Sequence, residues 1–82
     1  MRPEKLLRRI RDGQVENVRF RDFGRLLVAV GFSERRVRGS HRFFSHPEVS
    51  DDLVVQAEGA FAKNYQLRQF LKLFDRYNLT LE

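Results

Sequence analysis

The sequence predicts an α+β domain in which a three-stranded antiparallel sheet packs on helices. Apolar residues recur at steps of three and four near both ends of the chain, and short runs broken by turn residues fill its middle. With 82 residues and 41% apolar content, the chain can bury one modest core. A three-stranded sheet is not stable alone, so we expect the helices to cover one face and leave the other to solvent or a ligand.

Two helices are predicted before residue 32. The first covers PEKLLRRIRDG, with Pro3 at a favourable first-turn position and Gly13 as its stop. The second begins near Arg21 or Asp22 and ends at Gly31, which suits the left-handed conformation that closes many helices. Its apolar stripe consists of Phe20, Phe23, Leu26, Leu27 and Val30.

The first two predicted strands form a hairpin. Residues 35–38 make the first strand, and a Gly-Ser pair at 39–40 makes the corner. Residues 41–45 make the second strand, which ends at His46 because the proline that follows favours an extended predecessor and lacks a backbone donor.

An acidic turn is predicted at residues 48–52, followed by a third strand that contains the β-branched residues of 53–55. Gly59 opens the loop to the last helix, for which Asn64 is the expected cap. One face of that helix carries Leu67, Phe70, Leu71, Phe74 and Tyr77.

The charge and composition of the chain restrict the kinds of function that it can have. The 16 Lys and Arg against 11 Asp and Glu give a net charge of +5, which favours a polyanion such as nucleic acid as partner. The absence of cysteine excludes disulfides, a thiolate nucleophile and Cys-based zinc sites. The longest uncharged apolar run, residues 26–32, is far shorter than the roughly 18 to 20 residues of a membrane span, so we expect a cytoplasmic protein.

The two histidines, His41 and His46, are the candidates for proton transfer near neutral pH. Five residues apart on one strand, they face opposite sides unless a bulge intervenes, which disfavours a joint acid–base pair. This geometry also weighs against a metal site, and no cofactor is expected. Next to Pro47, His46 fits a hydrogen-bonded residue at the strand end.

His41 differs because it follows Gly39 and Ser40 and stands among several arginines. Guanidinium groups can hold a phosphate and stabilise charge on phosphorus while an imidazole moves a proton. The same residues also fit an ordinary surface histidine on a solvated basic strand, and spacing alone does not separate the two interpretations.

The block GSHRFFSHP, residues 39–47, resembles the HicA toxins, small ribonucleases of bacterial and archaeal type II toxin–antitoxin modules. A helix ending in GF precedes the block, and LVVQ and YQLRQFLKLFDRYNL follow it, so the resemblance covers roughly residues 20–79. It implies a fold like a double-stranded-RNA-binding domain, a metal-independent endoribonuclease that cleaves mRNA, and a HicB-like antitoxin as protein partner. The histidine of the block, His41 here, corresponds to the family's catalytic residue.

Two features depart from the family pattern. Residues 1–19 form an extra helical extension before a HicA-like domain of residues 20–82, the whole expected as one compact unit. Many members also carry Pro or His after the third strand, where this chain has residues 56–58, Gln-Ala-Glu.

RNA supplies its own nucleophile, the 2′-hydroxyl, so one proton-moving group with cations that steady the phosphate is sufficient. We assign Arg38 and Arg42 to phosphate positioning, Ser40 to hydrogen-bond donation, and Gly39 to close backbone approach, all from proximity to His41 in the sequence. Lys63 and Tyr65, at the start of the last helix, are secondary candidates for anion contacts. A non-catalytic RNA-binding module and a protein-interaction subunit remain as alternatives.

Overall fold

Three helices and four strands make up the chain in the order helix, helix, four strands, helix. The computed structural model describes all 82 residues. The elements are α1 (Pro3–Arg11), α2 (Phe20–Val30), β1 (Ser33–Arg38), β2 (His41–His46), β3 (Val49–Glu58), β4 (Phe61–Ala62) and α3 (Asn64–Arg76). The sheet is antiparallel with strand order β1-β2-β3-β4 and lies against the helices, which confirms the predicted α+β class.

The third strand is longer than predicted, and the predicted acidic turn at residues 48–52 is wrong. β3 pairs with β2 from Val49, opposite His46, so the turn contains only Pro47 and Glu48. The acidic segment is a bulge: the next pairing joins Phe44 to Leu53, which leaves three residues of β3 opposite one residue of β2. The bulged residues carry no pairing with β2, and their side chains, two of them acidic, are exposed to solvent.

The fourth strand, β4, has two residues and was missed because two residues show no periodicity. It pairs with the end of β3 through Ala57 and Glu58. Two further backbone hydrogen bonds connect this edge to the chain around the start of α2. The Phe20 N–H donates to the Ala60 carbonyl at 2.9 Å, and the Ala62 N–H donates to the Val18 carbonyl at 2.8 Å.

Other predicted boundaries shift by one or two residues. α2 begins at Phe20, and β1 begins at Ser33 instead of residue 35. Asn64 is the first residue of α3 and not its cap; Lys63 occupies the cap position, and no side chain caps the helix. Gly31 does close α2 in the left-handed conformation, with φ at 107°.

Seventeen buried apolar residues from all parts of the chain form one core. Leu6 and Ile10 of α1 are fully enclosed in it, and the rings of Phe23 and Phe70 meet edge to face with centroids 5.8 Å apart. The N-terminal extension therefore shares the core of the domain. Outside the core, Arg11 of α1 binds Asp75 of α3 at 2.9 Å, a contact that raises the pKa of the arginine.

None of the three helices has the length and apolar character that crossing a bilayer requires.

Candidate functional site

The sheet has two chemically different faces, and β2 shows the division most clearly. Phe44 and His46 of β2 are buried on the side of the helices, whereas His41 is exposed and Phe43 is half-buried on the other side. Directly paired residues of neighbouring strands share a face. We define the outer face by residues that this pairing joins, namely Arg36, Arg38, His41, Phe43, Val54 and Gln56.

His41 is the first residue of β2 and stands on the outer face directly after the β1–β2 turn. Its cross-strand partners are Arg38 on β1 and Gln56 on β3. In the turn, Gly39 has φ at 61°, a left-handed conformation that glycine adopts without strain, and no atom stands within 4 Å of where a Cβ would be. A ligand can therefore approach the backbone closely beside the imidazole.

A chain of hydrogen bonds connects this hairpin to the start of α3. Gln56 Nε2 donates to Ser40 Oγ at 2.7 Å, and Lys63 Nζ donates to Gln56 Oε1 at 3.3 Å. The Gln56 backbone N–H donates to Oε1 of the buried Gln66 in α3 at 3.0 Å. Because Ser40 Oγ accepts from Gln56, its own hydrogen is available for another acceptor.

Gln56 is the residue of this site that sequence reasoning missed. It was noted only as a departure from the family pattern, whereas the structure places it opposite His41 and between Ser40 and Lys63. Gln56 is identified by the register of β2 and β3. That register cannot be deduced from the spacing of residues within one strand.

The predicted arginine cluster is divided between the two faces. Arg42 lies on the helix-facing side, where it binds Glu34 at 3.2 Å and stacks 5.6 Å from the centre of the Phe20 ring. The structure therefore does not bring Arg42 together with His41, although the two are neighbours in sequence. Arg38 does lie beside His41, across the strand pair.

The arginines of β1 have no acidic partner. The chain has three ion pairs, and none of them involves Arg35, Arg36 or Arg38. All six residues of β1 are exposed. These three guanidinium groups are thus available to an external anion, whereas Arg42 is already engaged.

His46 is held on both ring nitrogens. Its Nε2 donates to the Val30 carbonyl at 3.0 Å, and its Nδ1 accepts from the Glu48 N–H at 3.0 Å, an arrangement that fits the neutral ring protonated on Nε2. The ring also meets Phe32 edge to face at 5.0 Å. This is the structural role expected from its place before Pro47, on the side of the sheet opposite His41.

A groove of about 580 Å³ lies on the helix-facing side, between α2 and the β1 end of the sheet. Its lining includes the apolar residues Phe20, Val28 and Phe44 and the basic residues Arg25 and Arg42. It is separated from His41 by the thickness of the sheet.

No group of three or more His, Asp or Glu side chains is placed to hold a metal ion. The outer face instead offers one exposed imidazole, an unpaired guanidinium across the strand, a hydroxyl hydrogen and an ammonium group connected through Gln56. This set can bind an anion and transfer a proton next to it.

The comparison with protein families identifies a match over most of the chain. A family model described as HicA toxin of bacterial toxin–antitoxin matches residues 20–75. No curated protein and no solved structure matches the chain significantly. The antiparallel sheet packed on helices agrees with the double-stranded-RNA-binding-domain-like fold expected from the resemblance.

Truncation of the two histidines should affect the stability of the domain to very different extents. We expect His46→Ala to lower the free energy of unfolding by about 2 to 4 kcal/mol, because it leaves a buried carbonyl and an N–H unpaired and opens a cavity. His41→Ala should change it by less than about 0.5 kcal/mol, since the ring is exposed. Urea denaturation of both variants tests this, and equal destabilisation would contradict the assignment of the two faces.

Proposed function

The chain belongs to the HicA toxin family of bacterial toxin–antitoxin systems. We propose that it is a metal-independent endoribonuclease that cleaves mRNA with His41 as its catalytic residue. One observation carries the proposal. His41 is the exposed histidine of the chain, and it stands on the same face as an unpaired arginine and a glycine turn open to a ligand. The other histidine is buried and fully hydrogen-bonded.

In the proposed reaction, the 2′-oxygen of a ribose attacks the adjacent phosphorus. A bond forms between that oxygen and phosphorus while the bond from phosphorus to the 5′-oxygen breaks. His41 accepts the proton of the 2′-hydroxyl, and the leaving 5′-oxygen takes a proton from solvent at this exposed site. Because the substrate carries the nucleophile, one imidazole is sufficient.

Negative charge grows on the phosphate oxygens during this step, and the neighbours of His41 can stabilise it. Arg38 offers a fork of N–H donors from the adjacent strand, and Ser40 has a free hydroxyl hydrogen. Gly39 allows the backbone to approach the phosphate, and Lys63 adds positive charge through its contact with Gln56. Arg42, on the opposite face, is left out of this set.

Substitutions at His41, Arg38 and Arg42 test the proposal. His41→Ala should abolish cleavage of a single-stranded RNA in the presence of EDTA. Arg38→Gln should lower kcat/KM by roughly 10- to 100-fold, the value of a charge-assisted hydrogen bond. Arg42→Gln removes the same charge from the other face and serves as the matched control, with an effect below about threefold.

Cleavage by His41→Ala at the parent rate, with contaminating nuclease excluded, would overturn the catalytic role. A parent chain that binds RNA without cutting it would favour a non-catalytic RNA-binding module, since the basic outer face serves that function equally. Equal losses for Arg38→Gln and Arg42→Gln would show that net charge, and not position beside His41, determines the rate.

We further propose that a HicB-like antitoxin neutralises the toxin by covering the outer face. Unpaired guanidinium groups on β1 attract an acidic protein as well as RNA, and electrostatic steering speeds such an encounter. β1 is also an edge strand with exposed side chains, so its free backbone edge can pair with a strand of the partner. Occlusion of His41 alone would stop catalysis.

Mixing the purified chain with a HicB-like partner should give a stable complex without ribonuclease activity. Hydrogen-exchange protection should fall on residues 36–44, the end of β1 and most of β2. Protection confined to α3, or a tight complex that still cleaves RNA at the full rate, would contradict occlusion of this face. Protection confined to residues 25–28 would place the partner in the groove beside α2.

A further inference from the structure

An arginine and a phenylalanine are stacked on the outer face. Arg36 Cζ lies 4.4 Å from the centre of the Phe43 ring, the shortest of five arginine–aromatic contacts in the chain, of which the others measure 5.4 to 5.9 Å. The two residues are direct cross-strand partners of β1 and β2. Their contact is therefore set by strand register, with a guanidinium plane close to an aromatic ring.

The pair is not part of the core. Phe43 and its cross-strand neighbour Val54 are half-buried, and neither belongs to the 17-residue core or packs against it. Packing in the core therefore does not account for a phenylalanine at this position. Arg36 and Asp52 both line a surface hollow at the β1–β2 end of the sheet, yet Arg36 forms no ion pair. The ring of Phe43 is therefore its close intramolecular partner.

The pair lies one repeat along the sheet from the proposed catalytic histidine. Phe43 follows His41 by two residues and Arg36 precedes Arg38 by two, so each is displaced by about 6.6 Å on the same face. This displacement is comparable with the distance from a phosphate to the base of its own nucleotide. A phosphate held between His41 and Arg38 therefore brings a neighbouring base within reach of Arg36 and Phe43.

We propose that Arg36 and Phe43 form a stacking platform for one unpaired RNA base next to the phosphate at His41. The inference rests on the proposed function and specifies its substrate as single-stranded RNA. Aromatic rings and guanidinium planes are the groups on which proteins stack splayed-out bases. A base within a duplex is already covered on both faces and would have to leave its stack to bind.

The arrangement also predicts what the platform does not recognise. Stacking uses the face of a base, which every base has, whereas identity is read through hydrogen bonds at its edges. We therefore expect the platform to discriminate strongly between unpaired RNA and duplex RNA, and weakly among the four bases.

The test measures binding of a short fluorescent single-stranded RNA by the full chain carrying His41→Ala, so that no cleavage occurs. Arg36→Ala and Arg35→Ala form a matched pair, because they remove equal charge from adjacent residues and only Arg36 stacks on Phe43. We expect Arg35→Ala to weaken binding by a few-fold. Arg36→Ala and Phe43→Leu should weaken it by at least about fivefold beyond that value, the effect of losing one stacked base.

An abasic ribose-phosphate oligomer of the same length and charge isolates the stacking contribution. The abasic oligomer should bind Arg36→Ala as tightly as Arg35→Ala. It should bind Phe43→Leu as tightly as the chain that carries His41→Ala alone. Arg36→Lys keeps the charge without the guanidinium plane, and as an exposed substitution it provides a variant that does not threaten the fold. It should lose most of the base-dependent affinity.

Equal effects of Arg36→Ala and Arg35→Ala on the base-containing RNA would overturn the platform, as would a duplex that binds as tightly as the single strand. If those results accompany cleavage that depends on His41, the platform fails and the proposed nuclease function stands. If the base-dependent losses appear but the parent does not cleave RNA, the platform stands and the nuclease proposal fails. A parent that binds no RNA would overturn both.

Discussion

Side chains of a β-strand alternate between two faces, and the helices of this domain cover only one of them. This alternation places each side chain of β2 either on the helix-facing side or on the outer face. A slip of one residue in register would place His41 inside and Phe44 outside. His46 opposes such a slip, because its ring connects the end of β2 both to the last carbonyl of α2 and to the Glu48 N–H. The buried histidine thereby maintains the register that keeps the other histidine exposed.

The separation of the two histidines followed from their odd spacing, and the structure retains it even though the pairing of β2 with β3 shifts between Phe44 and His46. Arg42 directly follows His41, so the same alternation of side chains predicts that it lies on the opposite face. Its assignment to the phosphate site rested instead on its nearness to His41 in the sequence. Gln56 was beyond sequence reasoning of this kind, because its role depends on pairing between strands. The bulge in β3 has the exposed Ser-Asp-Asp composition that is also typical of a turn, so the sequence alone does not distinguish the two.

The unpaired arginines of β1 illustrate how one feature can serve several purposes. Charged side chains on an edge strand hinder unwanted pairing with other sheets, which is sufficient to account for a basic β1. The stacking of Arg36 on Phe43 is not accounted for in this way, since protection of an edge requires charge and no aromatic partner. On our proposals, RNA and antitoxin compete for this same surface, and inhibition needs no change in the shape of the toxin.

The central claim is that RNA binds the outer face and leaves the helix-facing side untouched. Arginine Nε–Hε signals in an NMR titration of the His41→Ala chain with single-stranded RNA test it most directly, because Arg38 and Arg42 lie on opposite faces of adjacent strands. We predict that the signals of Arg36 and Arg38 shift with increasing RNA while that of Arg42, bound to Glu34, stays in place. Movement of the Arg42 signal without the other two would contradict the account.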